Sequence, residues 1–290
     1  MWIDIIKVEL RGCNMPELPE VETVRQMLLA SLPRTPITNI QIYYSKIIQN
    51  VSEIQFRSRL IGQSLIDIDR RGKYLIFIFN DVILISHLRM EGKYRFEEHL
   101  EATRHDHIVF SWEQGMLAYN DTRKFGTMHL FSREENVWIQ PPLSRVGPEP
   151  FDDGMSVAYL KSRFEGRLRP IKSSLLDQTI ISGLGNIYVD EVLFRVRIHP
   201  EKPTSLVSEK EIATIIEVSR AVLGEAIACG GTTIRTFSSG SIHGRFQQKL
   251  LIHGKKVCPI CGVPIQKIVV GGRGTYCCKN CQYIDKIPSL

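Results

Sequence analysis

Two groups of residues in this 290-residue chain have types and spacings that could do chemistry. The first is Cys258-Pro-Ile-Cys261, sixteen residues, then Cys278-Lys-Asn-Cys281. Paired Cys-x-x-Cys knuckles at such a separation can offer four thiolates to one tetrahedral Zn2+. Cys277 competes with Cys278, but only Cys278 leaves a two-residue gap to Cys281. A redox dithiol is the other reading of each knuckle. The module is too short for a hydrophobic core, so metal binding would supply its folding energy. Between the knuckles, Gly271, Gly272, Arg273 and Gly274 suit a hairpin tip that could present Arg273 to a phosphate.

The second group is Met15-Pro16-Glu17-Leu-Pro-Glu20-Val-Glu22, a run that reads as the start of a protein although fourteen residues precede it. An internal proline nitrogen belongs to an amide and cannot attack. If translation starts at Met15 and the methionine is removed, Pro16 becomes a free secondary amine beside Glu17. An α-amine has a pKa of about 7.7–8.0 against about 10.4 for lysine, so far more of it is unprotonated at neutral pH. Residues 1–14 are therefore expected to be a non-native extension. His105 and His107 have the spacing of a metal pair, but no further ligands accompany them, so they read as supports for a strand.

The elements that must position these groups follow from periodicity. Apolar residues at Leu18, Val21, Val24, Met27, Leu28 and Leu32 predict a helix over 17–32. From about 37 to 132 the period is two, with strands at Ile40–Tyr44, Ser64–Ile68, Tyr74–Phe79, Val82–His87, Tyr94–Glu97, His107–Trp112, Met116–Tyr119 and Thr127–Phe131. Many short strands without alternating helices predict an antiparallel sandwich or barrel rather than a doubly wound sheet. Pro141, Pro142, Pro148, Pro150 and Gly154 make residues 133–155 read as a linker. Helical spacing returns in Val157–Phe164, Ile187–Arg195 and Glu209–Cys229, the last opened by a capping box of Ser208 and Glu211. Residues 230–248, rich in Gly, Ser and Thr, read as a loop. The chain thus divides into 1–14, a sandwich over 15–132, a linker over 133–155, a helical domain over 156–248 and a zinc finger over 249–290.

Composition narrows the class. The 43% hydrophobic and 23% charged content is ordinary for a globular chain, and the net charge of +6 suits a polyanionic partner. No apolar run reaches the roughly eighteen residues of a membrane span, and the N-terminus lacks the pattern of a secretory signal. Seven cysteines, five of them in the last 33 residues, fit metal binding better than a disulfide framework.

Taken together, PELPEVE at 16–22, RRGKYL at 70–75, HDH at 105–107, NDTRKFG at 120–126, GLGNIYVDE at 183–191, GGTTIR at 230–235, GRFQ at 244–247 and the paired knuckles resemble the bacterial formamidopyrimidine-DNA glycosylases. The resemblance runs from 15 to 284. It implies a fold of the α+β multidomain class: an N-terminal antiparallel β-sandwich with a leading helix, then a helix–two-turn–helix domain with a zinc-ribbon finger. It implies removal of oxidised purines (8-oxoguanine and formamidopyrimidines) from double-stranded DNA, followed by strand cleavage through β,δ-elimination. Further expectations are one structural Zn2+, a monomer, no membrane, and a bacterial cytoplasmic, nucleoid-associated location.

Residue by residue, the resemblance makes Pro16 the nucleophile, Glu17 the general acid/base and Glu20 a further active-site carboxylate, with Glu22 structural. Lys73 would contact a phosphate flanking the lesion, and Lys172 would lie near the damaged base. Met90, Arg123 and Phe125 would fill the hole left by an everted base, with His105 among the DNA-facing residues. Asn186 and Arg273 would hold phosphate, the glycines before Asn186 letting helix N-terminal amides face it, and the 231–244 loop would close over the base. Thr122 replaces the more usual proline, and Arg89 and Glu91 flank Met90 unusually, which bears on the shape of these loops. The sister enzymes for oxidised pyrimidines, endonuclease VIII, are the runner-up; they usually carry glycine where Leu18 stands. A non-catalytic DNA-binding zinc protein is the reading if Pro16 stays internal.

Overall fold

The computed structural model describes residues 15–232 and 244–284. Helix α1 (Leu18–Ser31) comes first, with Glu17 at its N-cap and Pro19 in its first turn, where a missing N–H costs nothing. Eight strands follow: β1 (Asn39–Ile42), β2 (Leu65–Arg71), β3 (Tyr74–Phe79), β4 (Val82–His87), β5 (Lys93–Glu97), β6 (Asp106–Trp112), β7 (Gly115–Asn120) and β8 (Thr127–Ser132). They form two four-stranded sheets ordered β1-β6-β7-β5 and β2-β3-β4-β8, antiparallel throughout. Their inner faces enclose one apolar core that includes Ile40, Phe56, Phe77, Leu84, Phe110 and Leu130, and α1 adds Val21, Val24 and Leu28 to it.

The helix α2 (Glu53–Leu60) interrupts the stretch whose period reads as two. Its signal was a capping box, Ser52 with Gln55, and Phe56 and Leu60 are the residues it buries. Residues 133–155 are less free than a linker. Val137 and Leu143 pack with Ile76, Ile85 and Phe131 into a small separate cluster.

The second core belongs to α3 (Val157–Phe164), α4 (Ile171–Leu175), α5 (Asn186–Arg195) and α6 (Glu209–Ala228). The Ser208–Glu211 capping box opens α6 as its sequence predicts. Leu18 from α1 is buried in this second cluster rather than the first. One helix therefore anchors its head in the helical domain and its body in the sandwich. The chain ends in a hairpin of β9 (Gln266–Val270) and β10 (Arg273–Cys277), which pairs antiparallel around Gly271 and Gly272. Both glycines have positive φ, 55° and 75°, the region where a side chain would be strained.

Candidate active site and DNA-facing surface

Pro16 is buried at the head of α1, and Glu17 and Glu20 beside it are 3% and 5% exposed. The Glu17 carboxylate lies against the N-terminus of α5. Its Oε1 accepts the Ile187 N–H at 3.0 Å and its Oε2 the Tyr188 N–H at 3.4 Å. A Cβ at Gly185 would come within 2.2 Å of the Glu17 Cδ, and one at Gly183 within 2.4 Å of Leu18 Cδ1. The glycines of GLGN thus make room for the active-site helix. Two of the helix N-terminal amides expected to face a phosphate hold Glu17 instead.

Burial is the largest influence on Glu17 and raises its pKa from 4.5 to about 7, with Glu20 adding to the rise; Lys73 and the two amides oppose it. A carboxyl group with that affinity is partly protonated at neutral pH and can give a proton. Glu20 is fully engaged. It accepts from the Glu17 N–H at 3.1 Å, the Tyr188 hydroxyl at 2.7 Å, and the Thr232 N–H and hydroxyl at 2.8 and 3.0 Å. Gly231 permits that contact, because a Cβ there would approach Glu20 Oε1 to 2.7 Å. Glu20 therefore joins α1, α5 and the root of the 231–244 loop. Residues 233–243 of that loop lie outside the described residues, as do residues 1–14. Glu22 pairs with Arg25 and Arg70 at 2.7 and 3.0 Å, a structural role as expected.

Lys73 stands in the β2–β3 turn and is 4% exposed. Burial lowers its pKa first; Glu17 and Glu20 pull it upward, and the Arg273 guanidinium pushes it down. Cations of the sandwich and of the zinc hairpin thus feel each other and the buried carboxylates. The turn is fixed from behind: Arg70 binds both oxygens of Glu149 at 2.7 and 3.0 Å, and the Gly72 N–H donates to Glu149 at 2.6 Å. The two arginines of RRGKYL serve as struts, Arg71 pairing with Asp152 at 2.6 Å.

Beside Lys73 opens a cavity of about 360 Å³ lined by Tyr74, His87, Arg89, His129 and Arg145 among others, and among the described residues none in its wall is acidic. His87 Nδ1 accepts the Arg89 N–H at 2.9 Å, so its proton sits on Nε2, and burial keeps the ring neutral by lowering its pKa well below 6.5. A basic hollow with a neutral donor suits an anionic backbone. The sequence reading missed His87, Arg89 and Arg145 here, since a strand-end histidine carries no distinguishing spacing.

Lys172 stands apart from the open face. Its Nζ is fully buried, 2.6 Å from Asp190 Oδ1 and 3.2 Å from the Gly274 carbonyl. Asp190 Oδ2 meets His253 Nδ1 at 2.8 Å and accepts the Tyr276 N–H at 3.2 Å. The lysine expected near the damaged base forms a buried pair behind the zinc hairpin, and the Glu17 carboxylate also acts on it electrostatically. Asn186 donates from Nδ2 to the same Gly274 carbonyl at 3.0 Å, while Arg273 is exposed one residue away. Asn186 and Arg273 are thus brought together at one edge.

On the sandwich side, Met90 is half-buried, and Arg123 and Phe125 are exposed on the β7–β8 loop, the guanidinium 4.8 Å over the Phe125 ring. The unusual Glu91 and Thr122 contact each other, the Thr122 hydroxyl donating to the Glu91 carboxylate. His107 is buried with Nε2 2.6 Å from the Asp121 carbonyl, and the His105 carbonyl accepts the Asp121 N–H at 3.0 Å. Both histidines support the strand ends beneath that loop.

In the finger, the Sγ atoms of Cys258, Cys261, Cys278 and Cys281 all lie within 4.8 Å of one another. Cys258 and Cys281 are 3.8 Å apart, Cys261 and Cys278 3.5 Å. Thiolates at about 2.3 Å from zinc form a tetrahedron with edges of about 3.8 Å. The four residues fit one zinc ion, and Cys277 stays outside the set.

Comparison with known proteins agrees with this geometry. Residues 15–128 match the formamidopyrimidine-DNA glycosylase N-terminal domain, 146–238 its H2TH domain, and 255–282 the zinc finger found in FPG and IleRS. Formamidopyrimidine-DNA glycosylase from Shouchella clausii is 45% identical over 275 residues, spanning 92% of this chain and 99% of the relative. The same enzyme from Geobacillus kaustophilus is 45% identical over 274 residues, spanning 92% and 100%. Among solved structures, a mutant Lactococcus lactis FPG with a Fapy-dG containing DNA superposes with a TM-score of 0.85 at 41% identity, covering 92% of this chain and 99% of that one. The L. lactis enzyme non-covalently bound to an AP site containing DNA gives 0.83 at 39% identity, with coverages of 92% and 99%. The endonuclease VIII reading is not favoured by these matches. With three domain matches in order and near-complete coverage of its relatives, the chain belongs to the formamidopyrimidine-DNA glycosylase family.

Proposed function

We propose that this chain is a bifunctional DNA glycosylase (a hydrolase) and abasic-site lyase of base-excision repair, acting on oxidised purines opposite cytosine in double-stranded DNA. The observation that carries the reading is Glu17: a buried carboxyl with a pKa of about 7, next to Pro16 and held by two amides of α5. It suits a group that must donate to an opening sugar.

The residues take these roles. With Pro16 terminal, its nitrogen lone pair attacks the deoxyribose C1′, the glycosidic bond breaks with its electron pair leaving on the base, and the proline N–H proton passes to the departing base. Glu17 protonates the ring oxygen as the sugar opens to an iminium. The positive iminium acidifies C2′–H; loss of that proton expels the 3′-phosphate, and a second elimination expels the 5′-phosphate. Lys73, Asn186 and Arg273 hold the phosphates flanking the lesion, with His87, Arg89 and Arg145 extending the basic bed. Met90, Arg123 and Phe125 fill the vacated stack, and Lys172 holds the zinc hairpin from behind. When bound, zinc supplies the finger's folding energy. The enzyme acts as a monomer in the bacterial cytoplasm, at the nucleoid; among the described residues no helix is long and apolar enough to cross a membrane.

The test is cleavage of two duplexes by chain expressed from Met15, one with 8-oxoguanine opposite cytosine and one with an oxidised pyrimidine. The expected product is a one-nucleotide gap bearing phosphate at both ends, formed faster on the purine. Faster cutting of the pyrimidine duplex would overturn the purine assignment.

A further inference from the structure

The loop joining β7 to β8 exposes every side chain from Thr122 to Phe125, with Phe125 53% exposed. Beneath it, Asp121 is fully buried. A buried carboxylate is costly unless it is hydrogen-bonded. Here the loop's own backbone satisfies it: Oδ1 accepts the Arg123 N–H at 2.9 Å, and Oδ2 accepts the Phe125 and Gly126 N–H groups, both at 2.9 Å. The backbone of Asp121 is held in turn by β6. Its N–H donates to the His105 carbonyl at 3.0 Å, and its carbonyl lies 2.6 Å from His107 Nε2. Lys124 reverses the chain with φ +58° and lays its ammonium 4.6 Å from the Tyr44 ring centroid. Arg123 and Phe125 consequently stack on each other in the free protein.

The neighbouring Met90 loop is packed onto this one. A Cβ at Gly92 would come within 2.4 Å of the Tyr119 hydroxyl oxygen, and one at Gly126 within 1.6 Å of it. Both loops therefore close on one buried phenol, and Thr122 and Glu91 join their outer edges.

We propose that Asp121 is the positioning residue of the base-stack wedge, fixing Arg123 and Phe125 in their inserting arrangement before DNA arrives. This rests on the reading of Arg123 and Phe125 as the groups that fill the hole. Asp121 touches no substrate; it acts through three amides. Its consequence is selective, because prying an intact base from a duplex needs the wedge more than cleaving a ready-made abasic site does.

The experiment compares Asp121→Asn, Phe125→Ala and the double variant, all in chain expressed from Met15. In D121N an amide N–H2 faces the loop donors that Oδ2 satisfied, or the other amide if flipped. Excision of 8-oxoguanine should fall at least about tenfold in each single variant. Cleavage of a preformed abasic site by D121N should stay within about twofold, which also reports intact folding, and on 8-oxoguanine the double variant should match the worse single variant within the same margin. Equal loss on both substrates, or additive losses in the double variant, would overturn the positioning role. If F125A excises normally, the wedge reading itself fails and this proposal with it; if F125A fails while D121N excises normally, only this proposal falls. A second measurement needs no variant. Hydrogen exchange at the amides of Arg123, Phe125 and Gly126 should be slow despite the exposed loop; exchange at coil rates would contradict a preformed wedge.

Discussion

At the scale of single residues, Glu17 links fold and chemistry in opposite directions. Its pKa of about 7 against 4.5 means that the folded chain binds this proton more tightly than the unfolded one. Folding stability is therefore full below pH 4.5 and falls as pH rises towards 7, by about 3 kcal/mol for this group alone. Glu17→Gln should remove that loss. In chain beginning at Met1, melts should show the variant more stable than the parent at pH 8 and equal to it at pH 4, and parallel melting curves across that range would contradict the assignment. In chain beginning at Pro16 the same substitution should abolish base excision. Pro16 and Glu17 drew attention in the sequence as a possible terminal amine beside a carboxylate, and the family resemblance supplied their expected roles. The state of Glu17 was not legible there, since it depends on α5, about 170 residues away, closing over the carboxylate.

At the scale of elements, strands β3 and β4 and helix α3 fall where periodicity places them, and the other predicted strands agree within a few residues. Helices α2 and α4 escaped: α4, of five residues, offers little more than one turn of pattern, and α2 lies inside a stretch whose period reads as two. Lys172 shows the same limit. Pro170-Ile-Lys172 names a lysine without saying which face of α4 carries it, and the structure turns it inward to Asp190. The pair clamps Gly274, the residue after Arg273, against α5. Lys172→Met should destabilise the fold by about 3–5 kcal/mol, since Asp190 keeps a buried charge that loses its ammonium partner and retains His253 and the Tyr276 N–H. The companion K172M/D190L double variant should recover much of that stability in denaturant melts. A K172M chain as stable as the parent, yet unable to excise 8-oxoguanine, would return Lys172 to the active site.

At the scale of the molecule, the site exists because α1 belongs to two cores at once. Leu18 is buried in the helical domain while Val21, Val24 and Leu28 are buried in the sandwich. Pro16, Glu17 and Glu20 consequently sit where the domains meet, with Lys73 on one side and Asn186 and Arg273 on the other. Composition and motif order made this two-domain plan and its zinc finger readable; the packing of 133–155 onto the sheet was not, because prolines announce a chain without regular structure and not where it lies. All of the chemistry then depends on whether the Pro16 nitrogen is free. The most direct measurement expresses the chain from Met15 and from Met1, incubates each with 8-oxoguanine duplex, reduces with borohydride and reads intact mass. Covalent trapping on DNA is expected only where Pro16 is the terminal residue. Equal trapping by a chain that still carries Met1 would contradict the proline mechanism.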